Sequence, residues 1–332
     1  MLVLSRAQVE QLLDRDALIE AVAAAMAALS AGRAASPARV AVVVPERGGV
    51  LAAMPGHLPD PGALTTKLVT VFPQNAGTAL PTHQAVIVAF DPGTGQPVAL
   101  LDGEAITAAR TAAGSALSAR LLAREDASVL AVLGTGVQAR AHVDAVRRVR
   151  PIRRVRIAGR DRGRAEALAA ELAAEPAATA AIEVTVADSF PAALEGADIV
   201  CATTHAAEPV IRREWIGPGT HVTSVGFNPA GAEIDDPTFL DALLCVEARE
   251  VALAPFPTGC PALNRLCAQG RLPAAAVHAE LGELVSGARA GRSSAEQITL
   301  YRSVGVAVQD TAAAALVLAA ARRAGTGTTI AL

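Results

Sequence analysis

The stretch SVLAVLGTGVQARAH, residues 128–142, decides how the rest of the chain is read. Val129 to Leu133 is a short apolar run rich in β-branched residues, the length of one buried strand. Gly134, Gly136 and Ala139 then spell G-x-G-x-x-A ahead of a helix-forming run. The first glycine allows a tight turn. The second has no Cβ, so backbone can approach a pyrophosphate, and the small Ala139 lets the helix pack on the strand. Phosphates at that helix N-terminus meet unpaired N–H groups and the positive end of the helix dipole. The pattern alone is weak and also fits a glycine-rich turn of another α/β fold. Its context is what argues for a dinucleotide: a strand before, a helix after, and a second strand at Val155 to Ala158.

Downstream, the alternation continues. Strands are predicted near 129–133, 154–158, 182–186, 197–202, 220–225 and 242–246, and helices near 137–149, 162–174 and 189–195. This is the pattern of a Rossmann-type, doubly wound parallel sheet in an α/β protein. Upstream, Ser5 caps a first helix with Val9, Leu12 and Leu13 on one face, and Asp16 to Ser30 forms a second, ended by Gly32. Strand-like segments follow at 39–44, 50–54, 64–72, 84–90 and 97–101, divided by the turn signals ERGG, PDPG, PQNAG and DPGTG. This first region reads as α+β with an antiparallel or mixed sheet. Residues 103–124 form an alanine-rich crossover helix. Residues 304–323 form a long apolar helix that returns to the first region, followed by a frayed GTGTT tail. The expected division is residues 1–115 with 306–332 as one domain and 116–305 as the Rossmann dinucleotide-binding domain.

Composition narrows the function classes. The chain has 332 residues, 52% hydrophobic and only 2% aromatic, with a net charge of −3. Alanine supplies much of the apolar count, so aliphatic packing is expected, and no basic excess points to nucleic acid or an anionic membrane. Cys201, Cys245, Cys260 and Cys267 include no C-x-x-C pair and no zinc spacing, so no metal is expected. The N-terminus lacks the features of a signal peptide, and the longest apolar run is too short for a bilayer. A cytoplasmic protein is the expectation.

The tip of the second strand speaks to the cofactor. An NAD site usually places an acidic residue there. This chain has Gly159 and then Arg160, whose guanidinium suits a 2′-phosphate. NADP(H) is therefore favoured, with NAD(H) kept open by Asp161. In the first region, Arg39, Lys67 and Arg110 are isolated cations among apolar residues. Each either snorkels to water or turns into a cleft to meet an anion such as a substrate carboxylate.

The succession Arg39, MPG (54–56), Lys67, FPQN (72–75), PTH (81–83), EAITAARTAA (104–113), GTGVQA (134–139), CATTH (201–205), HVTSVGFNPAGAEID (221–235) and RSVGVAVQD (302–310) resembles the ornithine cyclodeaminase/μ-crystallin family over nearly the whole chain. The resemblance implies a homodimer built through the non-Rossmann domain, which also binds substrate, with the active site between the two domains. It implies that Arg39 and Lys67 hold the substrate carboxylate, and that Lys67 can polarise or protonate the reacting group. Thr82, Arg110 and Thr111 reach the cofactor. On the same resemblance, Val137 and Gln138 would cover its pyrophosphate beside the cofactor-binding turn residues Gly134, Thr135 and Gly136, and Thr203 would lie near the adenosine ribose or the nicotinamide side. Val225, Gly226, Phe227 and Asn228 line the nicotinamide, and Ser303 and Val304 close the pocket.

One departure bears on the reaction. Cyclodeaminases and related dehydrogenases carry an aspartate in the loop after Val-Gly, where this chain has Asn228. Asparagine orients by hydrogen bonds and takes no proton. That weakens amine oxidation with ammonia loss and leaves imine reduction, which needs a positioned hydride, a held carboxylate and a proton source. The expected activity is NAD(P)H-dependent reduction of a small imino acid, such as Δ1-pyrroline- or piperideine-2-carboxylate. The alternatives are an amino-acid dehydrogenase or acyclic imino-acid reductase, an ornithine cyclodeaminase, and a non-catalytic NADP-binding protein. His83, His205 and His221 lack ligand spacing and read as structural or surface residues. The loop PFPTGCP (255–261) reads as a turn.

Overall fold

The computed structural model describes residues 1–174, 181–228 and 230–331. Pro229, within the quoted segment 221–235, lies outside them. The chain opens with β1 (Leu2–Leu4), α1 (Arg6–Leu12), α2 (Arg15–Ser30), β2 (Val40–Val44), β3 (Gly49–Leu58), β4 (Ala63–Val71), β5 (His83–Phe90), β6 (Pro97–Asp102) and α3 (Gly103–Leu122). Alternation then runs through β7 (Val129–Leu133), α4 (Val137–Arg147), β8 (Arg154–Ala158), α5 (Arg162–Ala174), β9 (Glu183–Val186), α6 (Phe190–Leu194), β10 (Ile199–Ala202) and β11 (His221–Ser224). It continues with α7 (Asp236–Asp241), β12 (Leu243–Val246), α8 (Arg249–Ala252), α9 (Pro261–Ala268), β13 (Val277–Glu280), α10 (Leu281–Val285) and β14 (Thr299–Arg302). The chain closes with α11 (Ala307–Ala324) and β15 (Thr328–Thr329). Two compact units result: Met1–Arg110 with Gly305–Leu332, and Thr111–Val304.

The first unit carries a seven-stranded sheet in the order β15-β1-β6-β5-β4-β3-β2. Only β1 and β6 pair in parallel; the other neighbours are antiparallel. Alternation along the strands buries Ala52, Met54, Thr65, Lys67, Val69, Ala85 and Ile87 on one face, which packs against α11. Gly56 permits the close approach, since a Cβ there would lie 2.4 Å from Thr311 Oγ1. That explains the glycine of the MPG motif. The helix starts at Ala307, three residues later than the apolar run suggests, because Gly305 has φ +78° and breaks the turn. The GTGTT tail is not frayed: Thr328–Thr329 pairs antiparallel with Leu2 and Val3.

The second unit is a fully parallel eight-stranded sheet in the order β13-β12-β14-β11-β10-β7-β8-β9. Of its central strands, β7 and β10 read as unbroken apolar runs, as expected of parallel strands buried on both faces. β7, β10 and β11 are buried throughout. The strands β13 and β14 escape the sequence reading; each is four residues long and carries charged or hydroxyl residues, without a clear period. Strand order reverses between β7 and β10, which is where open α/β sheets bind ligands. Among the described residues, no helix is long and apolar enough to cross a membrane.

Candidate functional site

In the second unit the glycine turn has the form its motif requires. Gly134 has φ +115°, and a Cβ on it would lie 2.7 Å from Thr203 Oγ1. Thr203 leaves the end of β10 and donates to Leu133 O at the end of β7, so the two residues flank the reversal point. Ala139, in the first turn of α4, is fully buried and clusters with Leu130 and Val132 of β7. Gly136 is the N-cap of α4, carries no side-chain cap, and has nothing within 4 Å of where its Cβ would be. An open, uncapped helix N-terminus after a tight turn fits a pyrophosphate. Val137 is exposed in the first turn of α4, and Gln138 Oε1 is a buried acceptor without a partner in the protein. Thr135 packs its methyl group over Gly159, where a Cβ would lie 2.7 Å from it.

Next to that turn, β8 ends at Ala158 and α5 begins at Arg162. Asp161 accepts from Arg164 N–H (3.0 Å), so its carboxylate is engaged with the start of α5. Arg162 pairs with Glu166 and Asp188. Arg160 is exposed between them.

The other strand ends carry the remaining residues. Val225, Gly226, Phe227 and Asn228 follow β11. Asn228 donates from Nδ2 to His205 O (2.8 Å) and accepts Ala230 N–H (2.9 Å), so its amide shapes its own loop. Phe227 stacks on Phe256 of the PFPTGCP loop, with ring centroids 6.3 Å apart. Ser303 donates to the buried Glu247, which also accepts from Val304 N–H. Thr111 is buried in α3. His205 bonds Phe227 O through Nδ1, and His221 is enclosed by Ser118 and Thr299, burial pushing it down to about 3.

In the first unit, Lys67 and Asp310 form an ion pair of 2.9 Å with side chains 2% and 1% exposed. Arg110 donates from Nε to Asp310 Oδ1 (3.0 Å) and from Nη1 to Gln309 Oε1 (3.1 Å). Arg39 donates to Gly305 O (2.9 Å). Lys67 thus feels one carboxylate and two guanidiniums. Burial lowers its pKa to about 8; Asp310 opposes the fall, while Arg110 and Arg39 add to it. Burial alone would raise the Asp310 pKa, but Arg110 and Lys67 hold it below the usual carboxylate range. Burial and the same two cations push His83 down to about 4, leaving its ring neutral at neutral pH. Thr82 is half-buried just before His83, its carbonyl accepting Phe72 N–H. Such a cluster can receive an anion and hold a proton that leaves near neutral pH.

Asp310, Gln309, Glu233 and Glu247 carry no role in the sequence reading. Asp310 left a signal: it is the single carboxylate after Glu296, and it sits in an apolar helix while three isolated cations await a counter-charge.

Residues 1–325 match the model of the ornithine cyclodeaminase/mu-crystallin family. Ketimine reductase mu-crystallin of Mus musculus is 38% identical over 304 residues, covering 90% of both chains. The structure of Thermococcus litoralis Δ1-pyrroline-2-carboxylate reductase, in complex with NADH and L-proline, superposes with a TM-score of 0.94 at 35% identity, covering 99% of this chain and all of that one. An archaeal alanine dehydrogenase dimer with bound NAD gives 0.91 at 31% identity, covering 100% and 99%. The glycine turn at the sheet's reversal point and the buried cation cluster thus stand in a chain that, by sequence and by fold, belongs to the ornithine cyclodeaminase/mu-crystallin family.

Proposed function

We propose that this protein is an NAD(P)H-dependent imine reductase that converts a small cyclic ketimine carboxylate, such as Δ1-pyrroline- or piperideine-2-carboxylate, to the amino acid. The observation that carries the reading is the buried Lys67, paired at 2.9 Å with an Asp310 that Arg110 also holds. Arg39 and Lys67 bind the substrate carboxylate as charge-assisted hydrogen-bond donors. The Lys67 ammonium hydrogen-bonds the imine nitrogen and gives it the proton that makes the adjacent carbon more electrophilic. A reduced nicotinamide, its cofactor held by the glycine turn at 134–138 and its ring by residues 225–228, would supply the hydride to that carbon. Asp310 keeps the lysine protonated within a buried site. Asn228 shapes the nicotinamide loop and takes no proton, which favours reduction over the amine oxidation of a cyclodeaminase. The names of the mouse and Thermococcus relatives support the substrate class.

The glycine turn supports NAD(H) or NADP(H) binding, and the exposed Arg160 beside an engaged Asp161 favours NADP(H). A homodimer through the first unit is supported by the apolar outer face of its sheet, where Val40, Val42, Leu51, Leu68 and Val86 are exposed. Lys67→Ala and Arg39→Ala test the carboxylate assignment. Each is expected to raise the substrate KM at least ~10-fold, the scale of a charge-assisted hydrogen bond, while cofactor affinity stays unchanged. Unchanged kinetics in both variants would remove the assignment.

A further inference from the structure

Glu233 is a buried carboxylate that none of the steps above uses. Its Oε1 accepts from Ser224 Oγ (2.7 Å) and Gly226 N–H (2.8 Å). Its Oε2 accepts from Thr204 N–H (2.9 Å) and Thr204 Oγ1 (2.7 Å). Arg302, from β14, stands 3.8 Å from Oε1. That guanidinium donates to Ser224 Oγ (2.8 Å), Ser224 O (3.1 Å) and Gly226 O (2.6 Å). One carboxylate and one guanidinium therefore grip the segments leaving β10 and β11, and both hold Gly226, one by its N–H and the other by its carbonyl. There is no slack in the grip: a Cβ on Gly226 would lie 2.1 Å from Thr204 O and 2.4 Å from Glu233 Oε2.

A buried charge is costly unless its oxygens are fully engaged, and apolar residues of the same volume could join two strand ends without that cost. What the carboxylate adds is a fixed position for the peptide group of Gly226. We propose that Glu233 is the positioning residue of the nicotinamide seat. By holding the Gly226 N–H it sets the path of Val225 to Phe227, so that the ring meets one preformed surface rather than ordering the loop on binding. This rests on the reading of residues 225–228 as the nicotinamide loop. The adenosine end, at Gly134 to Gln138 and Arg160, is untouched by Glu233.

The test compares two ligands by calorimetry on the full-length protein: NADPH, and 2′-phospho-ADP-ribose, which lacks the nicotinamide. NADH and ADP-ribose are run alongside. Glu233→Gln keeps the size but replaces one of the two acceptor oxygens with an amide NH2, a donor facing donors. It is expected to weaken NADPH about 10- to 100-fold, the range for a hydrogen bond to a charged group, with 2′-phospho-ADP-ribose within about twofold of wild type. Ser224→Ala, which removes one donor and keeps the charge, serves if the first variant folds poorly; a loss of roughly fivefold confined to NADPH is expected. Equal losses for both ligands, or no loss for either, would overturn the proposal by making Glu233 a fold residue or an idle one. Failure of the wild type to bind any of the four ligands would instead overturn the cofactor reading, and this inference with it.

Discussion

Lys67 shows how an unremarkable position becomes chemical. It lies in a strand whose neighbours are Thr, Leu and Val, and alternation turns it inward rather than to water. Its partner Asp310 comes from α11, more than two hundred residues away in sequence. Removing Asp310 leaves Lys67 and Arg110 as buried like charges. Asp310→Asn is therefore expected to cost about 3–5 kcal/mol of stability, the range for breaking a buried pair on one side. The pH profile carries a sign. A lysine that donates a proton is active below its pKa, so wild-type activity falls as pH rises through about 8. Asp310 raises that pKa, so its loss moves the falling limb to lower pH. Rate–pH profiles of both proteins check this; coincident limbs would show that Lys67 is not the titrating donor. The sequence makes Lys67 and Arg110 visible as misplaced cations. Their arrangement around Asp310 is not legible there, because it depends on α11 packing back onto β3 and β4.

At the scale of elements, the readings that held are those with a strong local period or turn signal. Residues 129–133 and 154–158 are strands with those bounds, and DPGTG joins β5 and β6 as an antiparallel pair. The capping box at Ser5 starts α1. What was lost lies where tertiary pairing decides: β15 exists because β1 offers an edge, and β14 because β11 and β12 flank it on both sides. The turn from β8 to α5 carries a prediction of its own. Asp161 is bound to the helix start and Arg162 is paired, while Arg160 is exposed just past the strand end, where the proposed reading has it meet a 2′-phosphate. Arg160→Asp is expected to cut the NADPH/NADH preference, measured as a ratio of kcat/KM, by about 10-fold or more. A ratio that does not move would show that Arg160 does not read the phosphate.

For the whole molecule, the first unit presents an outer sheet face with Val40, Val42, Leu51, Leu68 and Val86, all 37–71% exposed. Val42 lies opposite Leu51, and Leu68 opposite Val86, so the residues form one surface rather than scattered points. A contiguous apolar face of this kind calls for a partner, and a second copy is the reading proposed here. Sedimentation of wild type should give a dimer, and Val42→Asp with Leu51→Asp should give monomers; a monomeric wild type would refute it. Imine reduction is tested by following NADPH and NADH absorbance with Δ1-pyrroline-2-carboxylate and no added amine. One cofactor oxidised per proline formed is the predicted result. No consumption with any cyclic imine, together with ammonia release from ornithine under catalytic NAD, would contradict the account and restore the cyclodeaminase.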